Sequence, residues 1–148
     1  MISFFKIKLF KILCKILFMK EKYYIIAVDD DESVLDMYKS GLFDFEVLTF
    51  SNPKEARDFL DKTDRLPDLI LMDILMSYLD GITFIREIKM NPRLSSIPII
   101  AVTGLGDAAT LNDALLFGAT DYIIKPFDIA DLSSRIKRII ERSKKGEK

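Results

Sequence analysis

The sequence contains no histidine and only one cysteine, Cys14. Without histidine there is no imidazole general base, no histidine-containing zinc site and no cysteine–histidine nucleophile pair. A single cysteine also excludes an internal disulfide framework, and a free thiol agrees with a reducing compartment. Any chemistry must therefore come from carboxylate, hydroxyl, lysine or arginine side chains.

The sequence also lacks a long apolar run. Its most apolar segment, residues 1–20, reads MISFFKIKLFKILCKILFMK, and lysines divide it so that the longest unbroken apolar stretch is Ile16–Met19. A spanning helix needs about 20 apolar residues, and a secretion signal needs a core of about 7 to 15. The segment therefore matches neither a spanning helix nor a secretion signal.

Three interpretations of residues 1–20, which we call the arm, are open. As a helix, the arm places Lys8, Lys11 and Lys15 on one side with apolar residues around most of the remainder, which suits peripheral contact with a membrane surface or a partner groove. Alternatively, the arm covers an apolar patch of its own domain. In the third interpretation it does not belong to the natural protein, which would start at Met19.

Charge is unevenly distributed. The arm has five lysines and no acid, which leaves 17 of the 22 basic residues and all 23 acidic residues elsewhere, a net charge of −6. This acidic body argues against nucleic-acid binding by the domain, because phosphate contacts need clustered lysine and arginine. We interpret the basic stretch 135–148 as the solvated end of a helix followed by a charged tail.

The length of 148 residues corresponds to one domain, and a hydrophobic content of 49% supplies a sizeable core, which excludes a disordered chain. We assign residues 1–20 to the arm, 21–142 to the folded domain and 143–148 to the charged tail. Short apolar runs, typical of strands buried on both faces, alternate there with five helical segments. The predicted strands are Tyr23–Val28, Phe45–Phe50, Asp68–Met72, Ile97–Val102 and Tyr122–Ile124.

This alternation predicts the α/β class, with a doubly wound parallel sheet and a ligand site at the carboxyl ends of the strands. The residues there are Asp29-Asp30-Asp31, Asp73, Thr103-Gly104 and Lys125-Pro126. An aspartate at a strand end is commonly a helix cap, which is how we interpret Asp31 and Asp107. Clustering the other carboxylates is costly without a counter-ion, and Mg²⁺ would relieve the repulsion.

The segments IIAVDDDESVL, PDLILMDILMSYLDGI, IIAVTG and GATDYIIKPF resemble the receiver domain of two-component response regulators. The resemblance runs from about Tyr23 to Ile140, and it rests on an acidic pair, a strand-end aspartate, a threonine and a Lys-Pro pair in the family's order. It implies a flavodoxin-like fold, a five-stranded parallel sheet with strand order 2-1-3-4-5.

The resemblance also implies the roles of individual residues. Asp73 would accept a phosphoryl group, and Asp30, Asp73 and the backbone carbonyl of Leu75 would bind Mg²⁺, with Asp29 contacting the metal through water. We expect the metal and Lys125 to hold the Asp73 carboxylate ionised.

The remaining implied roles concern the phosphorylated state. Lys125 would pair with the phosphoryl oxygens, and Thr103 would hydrogen-bond to them. Thr103 and Tyr122 would form the switch, with Tyr122 turning inward when Thr103 moves. The Lys125-Pro126 peptide bond would be cis.

Three positions depart from the pattern that the family commonly shows. Ser77 stands where proline is frequent four residues after the phosphoacceptor, so the loop there is expected to be less rigid. Leu75 and Leu105 are apolar where many members carry a polar group near the attacking water. This predicts slow loss of the phosphoryl group.

The resulting hypothesis is a single-domain, cytoplasmic response regulator and not an enzyme. It would take its phosphoryl group from a histidine kinase or histidine phosphotransfer protein and signal to a downstream protein effector. The signalling face would comprise the helix after Thr103, the fifth strand and the last helix.

Three other functions compete with this hypothesis. An aspartyl-phosphate phosphatase of the haloacid-dehalogenase kind would need an aspartate where Leu75 stands. A flavodoxin-like cofactor module would need a phosphate-binding loop, and Asp29-Asp30-Asp31 would repel its phosphate. The third alternative is a receiver that binds its partners constitutively as an interaction module.

Overall fold

The computed structural model describes residues 3–18, 21–76, 80–104, 106 and 108–146. These residues form five strands and six helices. In chain order the elements are α1 (Phe4–Phe18), β1 (Tyr24–Val28), α2 (Glu32–Gly41), β2 (Glu46–Phe50), α3 (Pro53–Lys62), β3 (Leu69–Asp73), α4 (Gly81–Met90), β4 (Ile99–Thr103), α5 (Ala108–Leu116), β5 (Asp121–Ile124) and α6 (Ile129–Lys144).

The five strands form one parallel sheet in the order β2-β1-β3-β4-β5. The predicted fold class and strand order are therefore confirmed, and each predicted strand lies within two residues of the observed one. One expectation was wrong. The edge strands β2 and β5 are only partly buried, whereas β1, β3 and β4 are buried throughout, because an edge strand has a neighbour on one side only.

Alternate residues of the buried strands face opposite layers, as the period of two in a strand requires. In β1, Ile26 packs with residues of α3, α4 and α5, whereas Ile25 and Ala27 pack with residues of α2 and α6. The sheet is thus covered on both faces. This doubly wound arrangement leaves the carboxyl ends of the strands as the open edge.

Helix starts follow the local sequence signals. The side chains of Asp31, Asn52, Asp80 and Asp128 each accept a hydrogen bond from a backbone N–H of the following first turn, which satisfies donors that the helix itself leaves unpaired. The interpretation of Asp31 as a cap is confirmed. The corresponding expectation for Asp107 lies outside the described residues.

The arm forms a helix over Phe4–Phe18. Its large apolar side chains remain exposed, from 42% for Ile7 to 83% for Phe4, so the interpretation that the arm covers a patch of its own domain is wrong. None of the helices in the described part of the chain is long and apolar enough to cross a membrane.

The carboxyl-terminal helix α6 extends to Lys144, two residues into the predicted tail. Several of its charges pair within the domain. Arg135 lies 3.1 Å from Asp131, and Lys144 lies 3.1 Å from Asp68. These pairs support the interpretation of the basic stretch as a solvated helix end.

Candidate functional site

The open edge of the sheet gathers the polar residues that end four strands. Asp29 follows β1 directly, Asp73 ends β3 and Thr103 ends β4. All three are buried, whereas Asp30 is exposed. Carboxylate oxygens of Asp29, Asp30 and Asp73 all lie within 4.8 Å of one another. The structure therefore brings the predicted acidic residues into one cluster.

Lys125 supplies the positive charge of the cluster. Its Nζ lies 2.7 Å from Asp29 Oδ2 and 3.5 Å from Asp73 Oδ2, so in this state the lysine is bound mainly to Asp29. Its backbone N–H donates to the carbonyl of Thr103 at 2.7 Å, which fixes the start of the Lys125 segment to the end of β4. The peptide bond to Pro126 is cis, as the resemblance implied.

Backbone N–H groups occupy one oxygen of each buried carboxylate. The N–H of Asp31 donates to Asp29 Oδ1 at 2.9 Å, and the N–H of Leu75 donates to Asp73 Oδ1 at 3.1 Å. The other oxygen of each faces Lys125. These contacts fix how both carboxylates point, since each is held from two directions.

Burial and crowding raise the pKa of Asp73 to about 6. Loss of solvation is the main cause, and the neighbouring Asp29 adds to it, whereas the Leu75 N–H and Lys125 oppose it. Lys125 lies closer to Asp29 than to Asp73, and the expectation that the metal and Lys125 together hold the Asp73 carboxyl ionised stays a prediction. For Lys125 itself, burial is the largest single influence and lowers the pKa, but the hydrogen bonds and negative charges of Asp29 and Asp73 together exceed it, so the net pKa is raised.

The cluster has the chemistry of a magnesium site. Mg²⁺ takes six oxygens at about 2.1 Å, so its ligand oxygens lie at most about 4 Å apart, and the three carboxylates need only small adjustments to reach that spacing. The ammonium of Lys125 neutralises only part of the negative charge of the three carboxylates. A further cation would therefore bind favourably. Asp29, Asp30 and Asp73 could hold it, with their hard oxygen donors favouring Mg²⁺ over softer metals.

The remaining predicted residues lie around this cluster. Leu75 lies two residues after the end of β3 and is 46% exposed. Tyr122 is half-buried in β5 and packs against the core layer formed with α3, α4 and α5. Ser77 and Leu105 lie outside the described residues, so the slow loss of the phosphoryl group stays a prediction.

Gly81 has a structural role that the sequence pattern did not reveal. A Cβ atom at this position would lie 2.4 Å from the Asp73 carbonyl oxygen, a distance at which the backbone would have to shift. The Gly81 N–H donates to the carbonyl of Ile74 at 3.3 Å. Only glycine therefore lets α4 begin directly against the end of β3, which closes the loop after Asp73.

Tyr38 of α2 is a second residue that the sequence pattern did not reveal. It is buried, its ring stacks on Phe127 with centroids 6.0 Å apart, and its hydroxyl is the one buried side-chain polar atom without a hydrogen-bond partner among the described residues. Burial raises the pKa of Tyr38, as do the charges of Asp29 and Asp73. The tyrosine thus places an unpaired donor near the acidic cluster.

A five-stranded doubly wound parallel sheet with three aspartates, a threonine and a lysine at its carboxyl edge is the arrangement that the sequence resemblance implied. The response regulator receiver domain family matches residues 25–137. The chain belongs to this family, which confirms the predicted resemblance to receiver domains.

Known proteins agree with this assignment. The chain is 35% identical over 129 residues to "Probable transcriptional regulator ycf27" of Guillardia theta, covering 86% of this chain and 48% of that protein. It is 35% identical over 122 residues to the phosphate regulon transcriptional regulatory protein PhoB of Rhizobium meliloti, covering 81% of this chain and 53% of that protein. The chain thus spans about half the length of these curated relatives.

A solved structure supports the fold in the same way. The CheY-like response regulator receiver domain protein of Methanospirillum hungatei superposes with a TM-score of 0.76 at 28% identity, covering 85% of this chain and 99% of the other.

The substitution Tyr38→Phe should stabilise the domain. Removing a buried hydroxyl that has no partner relieves a desolvation cost, worth about 1 kcal/mol. Chemical denaturation of the two proteins measures the difference, with Tyr23→Phe as the control, since Tyr23 is only half-buried and should change stability by less than about 0.5 kcal/mol. A loss of stability in Tyr38→Phe would show that the hydroxyl has a partner.

The substitution Asp73→Asn should stabilise the metal-free domain at high pH. The folded pKa of about 6 lies above the unfolded value of about 3.9, so the folded state binds the proton more tightly. The stability that the neutral carboxyl contributes is present below the unfolded pKa and is lost as the pH rises through about 6.

In thermal melts, the free energy of unfolding of the variant should therefore exceed that of the original chain by on the order of 1 to 2 kcal/mol near pH 8. The two values should be equal near pH 4. Saturating Mg²⁺ should reduce the gap at high pH, because the metal binds the folded carboxylate. A gap that does not change with pH would contradict the raised pKa.

Proposed function

We propose that Asp73 accepts a phosphoryl group from a phosphohistidine of a histidine kinase or histidine phosphotransfer protein. The N–P bond of the donor breaks, a bond forms between phosphorus and a carboxylate oxygen of Asp73, and the imidazole is the leaving group. The observation that carries this proposal is the buried Asp73 carboxylate beside Asp29, Asp30 and the Lys125 ammonium.

The residues of the cluster would divide the work of positioning and charge neutralisation, which dominate phosphoryl transfer. Asp30, Asp73 and the Leu75 carbonyl would hold Mg²⁺, with Asp29 reached through water. When bound, the metal supplies positive charge for the phosphoryl oxygens. The Leu75 N–H holds Asp73 Oδ1, which keeps the carboxylate in one orientation for attack.

Lys125 would change partner during the reaction. Its Nζ is held by Asp29 and lies 3.5 Å from Asp73, so a short movement of its flexible side chain brings the ammonium to a phosphoryl group on Asp73. The Thr103 hydroxyl would donate to another phosphoryl oxygen. In this proposal the domain assists its own phosphorylation and does not act as an enzyme on a separate substrate.

Thr103 and Tyr122 would pass the change to a protein-binding face formed by α5, β5 and α6. Apolar side chains are already exposed there, since Leu116 is 78% and Ile124 is 40% exposed. A downstream protein effector would recognise the face after the switch. The relatives named above are described as transcriptional regulators, but the acidic body of this chain gives no basis for nucleic-acid contact by the receiver itself.

Asp73 should be the phosphoacceptor and Mg²⁺ should be required. Incubation with acetyl phosphate and Mg²⁺ should add one phosphoryl group to the intact mass of the protein, and Asp73→Asn should abolish the adduct because the amide is not a nucleophile. Asp30→Asn should raise the Mg²⁺ concentration that is needed, since one metal ligand is lost.

Asp31→Asn is the matched control for this experiment. Asp31 is adjacent to the cluster but serves as a helix cap, a role that asparagine fills equally well, so its phosphorylation should not change. An adduct that persists in Asp73→Asn would falsify the assignment. Complete phosphorylation in the presence of EDTA would show that Mg²⁺ is not required.

Phosphorylation should change the exposed face at α5, β5 and α6. Beryllium fluoride with Mg²⁺ mimics the phosphoryl group, and amide exchange should then change on the order of 10-fold within Ala108–Phe127, the size typical of coupling between sites. Helix α3 contacts β2, at the opposite edge of the sheet from β5, and should not change. Equal exchange with and without the mimic would instead favour a constitutive interaction module.

A further inference from the structure

Helix α1 presents an unusually apolar surface to solvent. Nine large apolar side chains of the helix are exposed by 42% to 83%. They are Phe4, Phe5, Ile7, Leu9, Phe10, Ile12, Leu13, Ile16 and Leu17. A contiguous apolar patch of this kind on a folded protein marks an interaction site.

The same helix carries charge of one sign only. Lys6, Lys8, Lys11 and Lys15 lie within it, and it has no acidic residue. Lys8, Lys11 and Lys15 share one side of the helix because they are spaced at i, i+3 and i+7. Their ammonium groups can stay in water or contact anions, while the apolar remainder is buried.

The length of the helix fixes how it would meet a bilayer. Fifteen residues extend about 22 Å, whereas the hydrocarbon core is about 30 Å thick. The helix is therefore too short to span it, and it suits a position in the plane of the interface between headgroups and acyl chains.

A second copy of this chain fits the helix less well. Lys6 lies on the side opposite the other three lysines, so lysines flank the apolar seam of Phe5, Leu9, Ile12 and Ile16 on both sides. Pairing two such seams would bring the flanking lysines of both helices to the borders of one interface, where like charges repel. An anionic bilayer complements both the apolar surface and the positive charge.

We propose that α1 binds the surface of a membrane rich in anionic lipid and tethers the receiver there. The lysines would contact lipid phosphates and the apolar side chains would enter the acyl region. The chain outside residues 1–20 carries a net charge of −6, so the same surface repels the body and leaves the edge with Asp73 in water. The inference does not depend on phosphorylation of Asp73.

Sedimentation with vesicles tests the proposal on the full chain. Vesicles of phosphatidylcholine with phosphatidylglycerol should bind the protein, vesicles of phosphatidylcholine alone should bind it far more weakly, and added salt should release it. Replacing Lys8, Lys11 and Lys15 together by Gln should weaken binding about 100-fold, because each lysine near an anionic surface contributes roughly a factor of five.

Two matched controls come from the body of the domain. Replacing Lys39, Lys54 and Lys62 by Gln removes the same charge from exposed positions outside the arm, and should leave binding unchanged or only slightly weaker. For the apolar contribution, Phe10→Ser should weaken binding about 10-fold, whereas Phe43→Ser, at a phenylalanine that is 71% exposed in the body, should not.

Several outcomes would overturn the proposal. These are no binding of the original chain to anionic vesicles at low salt, equal binding to neutral vesicles, or equal losses in the arm and body variants. Self-association that is lost in Phe10→Ser, without vesicle binding, would assign the helix to a second copy instead. Thermal melts of the same samples show whether a variant is misfolded. Acetyl phosphate labelling of the same samples shows whether the Asp73 site still works.

Discussion

Repulsion among three carboxylates at one edge of the sheet is the constraint on which the rest of the site depends. Asp29 and Asp73 are both buried, where charge is expensive unless it is paired. Lys125 lies closer to Asp29 than to Asp73, and the pKa of Asp73 is raised first by its burial and then by the charge of Asp29. A divalent cation bound to these carboxylates would add the positive charge that burial and repulsion call for.

The fold maintains this crowding because the surrounding contacts are rigid. Asp29 and Asp73 follow or end neighbouring buried strands, so neither can move away without breaking the sheet. Gly81 brings the start of α4 against the Asp73 backbone, which restrains the end of β3 from that side. The stability of the central strands thus maintains an arrangement that the carboxylates alone would not adopt, a common feature of functional sites.

The sequence was sufficient to predict the cluster but not its internal pairing. Parallel strands end at one edge, so Asp29, Asp73 and Thr103 had to meet once the strands were identified. The preference of Lys125 for Asp29 depends on how a long flexible side chain settles between two acids, which spacing cannot reveal. Tyr38 was missed for a similar reason, because a tyrosine at an apolar helical position is indistinguishable from ordinary core until its hydroxyl is seen to lack a partner.

The pairing of Lys125 also explains how a local chemical change could become a signal. A ligand shifts an equilibrium only through contacts that differ between two states, and a phosphoryl group on Asp73 would compete with Asp29 for Lys125, which now lies 2.7 Å from Asp29 and 3.5 Å from Asp73. The Lys125 backbone N–H donates to the carbonyl of Thr103, so a hydrogen bond links the ends of β4 and β5. Movement of Lys125 toward Asp73 would therefore shift β5, the strand that carries Tyr122. This strand lies next to the exposed apolar residues of α5 and β5.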